Sequence, residues 1–338
     1  MKRIFTLLFA VLTATTIMAQ MHGPMKFVGA SNMTVSTMSN DNPSDTILFA
    51  MNGMESGNIT LPAMKGVKTI PSFTISGAKF TLGENHVVTF ADQAFSTKVK
   101  VDGAEKNITG TSLSGTYNMA DNSLSLTVVF QYGNMPMSMT YTVKGYCVKA
   151  VSNPITVTVG GQFTYNNDNV TYELRRYKDG ETDKLDVTVP SYTLANTVMG
   201  DLTLGSYTVK GLVYDEAQGG YYRDYKNDGL MFHFTAVKNG KTTMDKDYEF
   251  AADEANNILV KYEGSNVSSI VNTFQVGTMP FGIVSVFSGA TTSINGVTTT
   301  PSHDFNTTSS QQYNLAGQRV DNNYKGIVIV NGKKYLRK

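Results

Sequence analysis

Tryptophan is absent from this 338-residue chain, and cysteine occurs once, as Cys147. A single cysteine excludes an internal disulfide and a thiolate zinc site, so packing must hold the fold. Charge is scarce and balanced: 28 Lys and Arg face 27 Asp and Glu, for a net charge of +1. Such a chain has no long-range field to gather nucleic acid or an anionic membrane surface. The four histidines, His22, His86, His233 and His303, stand at no ligand spacing to one another or to Cys147. No Gly-x-Ser-x-Gly elbow, phosphate loop or dinucleotide fingerprint is present. Acid pairs such as Asp183 with Asp186, or Asp245 with Asp247, fall in polar turns, where solvated acids are a simpler reading than a catalytic dyad. No catalytic residue, cofactor or metal set is assigned, and no enzyme is expected.

Long apolar runs are also missing, apart from the start. Lys2 and Arg3 precede the apolar stretch Ile4 to Ile17, which ends at the small residue Ala19. This is the pattern of a secretory leader, 1–19, cut between Ala19 and Gln20. It is too short and too poorly flanked for a spanning helix, and no later stretch could span a membrane as one. No cysteine follows the cut, which argues against a lipid anchor. His22 becomes the third residue after cleavage. A free terminal amine with His at position three can chelate Cu(II), although cyclisation of Gln20 removes that amine.

What the chain has in quantity is glycine (30), tyrosine (18), phenylalanine (17) and methionine (17), with 41% hydrophobic residues overall. Thr, Val and Tyr with frequent turn residues favour strands over helices. One stretch occurs twice. Ile70-Pro71-Ser72-Phe73-Thr74-Ile75-Ser76-Gly77 returns as Leu204-Gly205-Ser206-Tyr207-Thr208-Val209-Lys210-Gly211, an offset of 134 residues from Ile70 to Leu204. Both copies alternate apolar and polar residues with period two, as a half-buried strand does. The turn signal Asp102-Gly103 returns as Asn239-Gly240, and Ala120-Asp121 as Ala252-Asp253, at similar offsets. A period this long predicts a duplicated domain, not a solenoid.

The expected organisation is a first domain over 25–148, a turn near Val151 to Pro154, and a second domain over 150–288. A Ser/Thr/Asn/Gly-rich linker over 289–312 and a small unit over 313–338 follow. In that last unit, Gly326 to Val330 predicts a strand, Asn331-Gly332 a tight turn and Lys333-Lys334-Tyr335 the return. Each domain reads as an antiparallel meander of about eight strands, a usual domain size. Closure into a barrel would remove its edges.

Two resemblances carry this further. Ile70 to Ile75, Leu113-Ser114-Gly115-Thr116-Tyr117 and Phe130-Gln131-Tyr132-Gly133-Asn134-Met135-Pro136 resemble the calycin-like (lipocalin-like) β-barrel domains of exported Bacteroidetes proteins. The second copy has Tyr262-Glu263-Gly264-Ser265-Asn266 at the last of these places, so its assignment rests on the internal offset. The resemblance implies an all-β fold of two tandem antiparallel eight-stranded lipocalin/calycin-like barrels, and small-molecule binding. It implies no catalytic residues. Tyr313 to Val320 and Lys325 to Lys334 resemble the end of the C-terminal sorting domains of type IX secretion. That implies export machinery as a partner and a periplasmic, surface or extracellular destination, with the tail ending in a short β-hairpin.

Candidate binding residues come from two places. Met135, Met137 and Met139 alternate with Ser138 and Thr140, which predicts one face of a strand running from Met135 to Cys147. Those thioethers suit Cu(I), or core filling, or the wall of an apolar pocket. Cys147 falls in phase with them, as a buried inert thiol or an intermolecular disulfide partner. Tyr221, Tyr222 and Tyr225 flank Arg223 and Asp224, where exposed rings could stack on a sugar or peptide, or simply serve a strand. The expected function is non-catalytic binding of a small apolar ligand inside a barrel. The alternative is a structural or adhesive surface protein that uses the barrels as rigid spacers.

Overall fold

The computed structural model describes residues 23–65, 69–83, 86–251, 254–288, 312–314, 326–330 and 333–337. The leader with its Ala19/Gln20 cut, His22, Ala252-Asp253, the linker up to residue 311 and much of the tail lie outside the described residues. Every regular element among the described residues is a strand. Residues up to Phe287 form one compact unit, and Ser288–Lys338 another.

The chain first forms β1 (Met25–Val35), β2 (Met38–Met51), β3 (Ser56–Leu61), β4 (Phe73–Lys79) and β5 (Thr81–Leu82). Then come β6 (Val87–Phe90), β7 (Phe95–Val101), β8 (Ala104–Asn118), β9 (Ser123–Tyr132) and β10 (Met139–Val159). All ladders are antiparallel, and the first part of β10 pairs back onto β1 from Met139↔Val35 to Val148↔Lys26. The result is a closed eight-strand barrel. Alternation drives it: on β9, Leu124, Leu126, Val128, Phe130 and Tyr132 point inward while the residues between them stay wetter. The interior is filled by rings meeting edge to face. Phe49 touches Phe90 at 5.3 Å, Phe80 at 5.9 Å and Tyr117 at 6.4 Å, and Phe73 meets Phe130 at 5.4 Å. An eight-stranded barrel is just wide enough for such filling.

β10 does not stop at the first barrel. Val148 faces Lys26 of β1 on one side and Arg175 of the next strand on the other. The expected turn at Val151 to Pro154 is therefore corrected: these residues are strand. Pro154 is tolerated because the register shifts between Asn153 and Ile155, a bulge where no ladder N–H is needed.

The second lobe follows with β11 (Phe163–Asp179), β12 (Thr182–Val189), β13 (Tyr192–Thr197), β14 (Gly200–Leu204), β15 (Tyr207–Asp215) and β16 (Gly220–Asp224). β17 (Met231–Lys238), β18 (Lys241–Glu249), β19 (Asn257–Glu263), β20 (Asn266–Phe274) and β21 (Ile283–Ser288) complete it. Ladders run β10–β11–β12–β15–β16–β19–β20, and β21 returns to β10. β13, β14, β17 and β18 form a separate four-stranded sheet over the same core. The tail contributes β22 (Gln312–Asn314), β23 (Gly326–Val330) and β24 (Lys333–Arg337), an antiparallel set that includes the expected hairpin strands.

The repeated stretch has the same local geometry in both lobes. Ser72 Oγ donates to the Leu61 carbonyl at 2.7 Å, and Ser206 Oγ to that of Val189 at 2.8 Å. Thr60 and Thr74 share a hydroxyl hydrogen bond of 2.8 Å, Thr188 and Thr208 one of 2.9 Å. Gly77 (φ 68°) donates its N–H to Asn58 Oδ1, and Gly211 (φ 71°) to Asp186 Oδ1. In both places the acceptor sits in a bulge of the neighbouring strand. The left-handed backbone explains the repeated glycine. Phe73 and Tyr207, at matching places, are both buried.

Candidate ligand cleft between the lobes

Where β10 passes from one lobe to the other, a cleft of about 1030 Å³ opens. β10 lines it with Cys147 to Ala150, and the first barrel adds Met25, Lys26 and Asn122. Leu174 of β11 and Leu185 of β12, both buried, form its floor. Tyr214, Tyr221 and Tyr262 form a wall.

Strand pairing assembles that wall. Tyr214 and Tyr221 are directly opposed across the β15–β16 hairpin, and β16 pairs in turn with β19, which carries Tyr262. Tyr214 meets Tyr221 edge to face at 5.7 Å and 84°, and Tyr221 meets Tyr262 at 6.0 Å and 75°. The Arg176 guanidinium carbon lies 5.5 Å from the Tyr221 ring centre. Tyr214 is 59% exposed, whereas Tyr221 is 6% exposed beneath it. Gly220 is required by close approach, since a Cβ there would stand 2.6 Å from the Val260 carbonyl oxygen.

The rim is polar and paired. Lys26 donates to both carboxylate oxygens of Glu173, at 2.9 and 2.8 Å, and so joins the two lobes. Arg176 reaches Asp183 at 3.1 Å, and Lys149 donates to the Ser265 carbonyl at 3.1 Å. Burial would raise the Asp183 carboxyl, but hydrogen bonds from Arg176 and Lys178 more than offset it and hold it below its ordinary value. Burial, with Tyr221 adding to it, pushes Tyr262 up to about 12, and burial also raises Tyr221. Burial pushes the Cys147 thiol up to about 11. Tyr221, Tyr262 and Cys147 therefore keep their protons at neutral pH. They offer hydrogen bonds and apolar surface, not a ready base or nucleophile.

The residues singled out from sequence divide. Tyr221 lines the cleft. Tyr222 is its strand neighbour and points to the opposite face. Tyr225 is in the second core, where its hydroxyl donates to Asn272 Oδ1 at 2.9 Å. Met135, Met137 and Met139 do not share a strand face, which corrects that expectation. β10 begins only at Met139, after a turn through Gly133 (φ 58°) and Pro136. Met139 is buried, Met135 packs partly against the first core, and Met137 is 42% exposed. Cys147 is half-buried, packed against the first core and lining the cleft. Met137→Ala is therefore expected to change stability by no more than about 0.5 kcal/mol, and Met139→Ala to cost about 2–5 kcal/mol, both read by urea unfolding. Equal losses at the two positions would contradict this placement.

Sequence reasoning did not single out Tyr214, Tyr262 or Arg176 as site residues. Their signal is weak, because each is an ordinary strand residue until three separate strands bring them together. Among the described residues, no group of three or more His, Cys, Asp or Glu side chains is arranged to hold a metal ion.

A search of curated proteins finds no match. Among solved structures, a chain described as a "putative outer membrane protein" from Bacteroides fragilis NCTC 9343 overlays 80% of this chain and 98% of its own length, at 16% identity and a TM-score of 0.25. Residues 25–146, which form the closed barrel, match the family model of the calycin-like beta-barrel domain.

Proposed function

We propose that this is an exported, non-catalytic binding protein whose ligand occupies the cleft between the lobes. The observation that carries the reading is the tyrosine wall over a leucine floor, in a space ordinary for ligand sites. The ring-packed interior of the first barrel favours this cleft over the barrel as the ligand's place. The leader in Met1 to Ala19 supports export. Matching geometry around Gly77 and Gly211 supports descent of both lobes from one duplicated barrel that shares β10.

The test is a titration of the mature chain with the neutral apolar dye N-phenyl-1-naphthylamine. Saturable binding that is lost in Tyr214→Ala, without a change in melting temperature, is the expected result. Binding unaffected by Tyr214→Ala would place the dye elsewhere and remove the cleft as the site. The filled barrel also favours a second reading, in which the lobes are rigid spacers of a surface protein. A wild-type chain that binds no dye would leave that reading in front.

The tail resembling sorting domains gives a separate prediction. Deleting Tyr313 to Lys338 is expected to leave the melting temperature of the two-lobe unit unchanged and to abolish display at the cell surface. Surface labelling that persists after the deletion would defeat the sorting role.

A further inference from the structure

The chemistry of the cleft narrows its ligand, on the reading that the cleft is the binding site. We infer that it takes a neutral oligosaccharide. An anionic ligand would have to compete for cations that already have partners: Lys26 holds Glu173 at 2.8 Å, Arg176 holds Asp183 at 3.1 Å, and Lys149 donates to the Ser265 carbonyl at 3.1 Å. A cationic ligand meets the same pairs from the other side. An acyl chain needs a dry channel, yet rings fill the first barrel and the cleft rim carries charged side chains that such a chain would desolvate without compensation.

A pyranose has the complementary surface. One face presents C–H groups, and its edge presents hydroxyls that both donate and accept. Tyr214 offers an exposed ring, held upright by its edge contact with Tyr221, so little ordering remains to be done on binding. Beside the Tyr221 ring that supports it, the Arg176–Asp183 pair supplies donors and acceptors together with no net charge. A volume of about 1030 Å³ is just above the range for compact ligands, about 300–1,000 Å³, which favours several linked sugars over one.

The experiment is isothermal calorimetry on the mature chain. The probes are neutral hexasaccharides of glucose, mannose and xylose, a hexamer of galacturonic acid, and dodecanoate. At least one neutral hexasaccharide is expected to bind saturably, with affinity insensitive to added salt. Tyr214→Ala should weaken that binding about tenfold or more. Tyr222→Ala, on the opposite face, should leave it unchanged. Salt-sensitive binding of the galacturonic acid hexamer alone, or binding of dodecanoate alone, overturns the neutral-glycan inference; if Tyr214→Ala abolishes it, the cleft as a site survives. Saccharide binding that Tyr214→Ala does not affect overturns the inference too. Failure of every probe to bind overturns both the inference and the cleft reading.

Discussion

Phe49→Ala is expected to lower the stability of the two-lobe unit by about 3–5 kcal/mol. Phe49 is fully buried on β2, and its ring meets Phe80, Phe90 and Tyr117 edge to face. Each such pair adds about 0.5–1.5 kcal/mol beyond area burial. The hole left by the ring cannot close easily, because closed ladders hold the surrounding strands. Gly57 shows how tight the site is: a Cβ there would lie 2.6 Å from the Phe49 ring. Urea unfolding read by circular dichroism measures the loss, with Met38→Ala, half exposed on the same strand, as a control near zero. A loss below about 1 kcal/mol at Phe49 would mean that the barrel relaxes around the hole and is softer than the ring contacts indicate.

Asp186→Ala should have the second large effect, about 2–4 kcal/mol, toward the lower end for a buried pair because Arg175 keeps some contact with water. Asp186 accepts from Arg175 through both Nε and Nη2, and from the Gly211 N–H at 2.8 Å. The same guanidinium donates through Nη1 to the Val28 carbonyl of the first barrel at 3.0 Å. Removing the carboxylate thus strands a partly buried cation, orphans a bulge N–H and loosens a link between the lobes. Asn58→Ala is the matched comparison, because Asn58 accepts from the Gly77 N–H without a charged partner. It should cost about 1 kcal/mol. Arg175→Met added to Asp186→Ala should recover part of the loss, since no cation is then left unpaired. Equal losses for Asp186→Ala and Asn58→Ala would show that the ion pair contributes nothing beyond the bulge.

Much of the barrel was legible because strands announce themselves locally. Phe73 and Tyr207 face the core as their alternation predicts, and Asp102-Gly103 and Asn239-Gly240 adopt positive φ at both residues, as tight hairpins require. The methionine stretch misled because period two persists through Met135, Met137 and Met139, while Gly133 and Pro136 turn the chain before the strand begins. Pro154 misled in the opposite sense. It reads as a boundary, and a bulge accommodates it inside the longest strand. The cleft was hardly legible. Tyr214, Tyr221 and Tyr262 become neighbours only through the order in which β15, β16 and β19 pair, which no local pattern encodes.

β10 has a mechanical consequence. A pull that draws the lobes apart is carried along one continuous backbone, anchored by β1 and β9 at one end and by β11 and β21 at the other. Those ladders lie alongside the pull, so their hydrogen bonds are loaded together in shear instead of opening one at a time like a zipper. No slack linker exists at the junction to extend first. Under tension the lobes cannot part while both stay folded: the strand must slide out of one of them, and separation and unfolding become a single event.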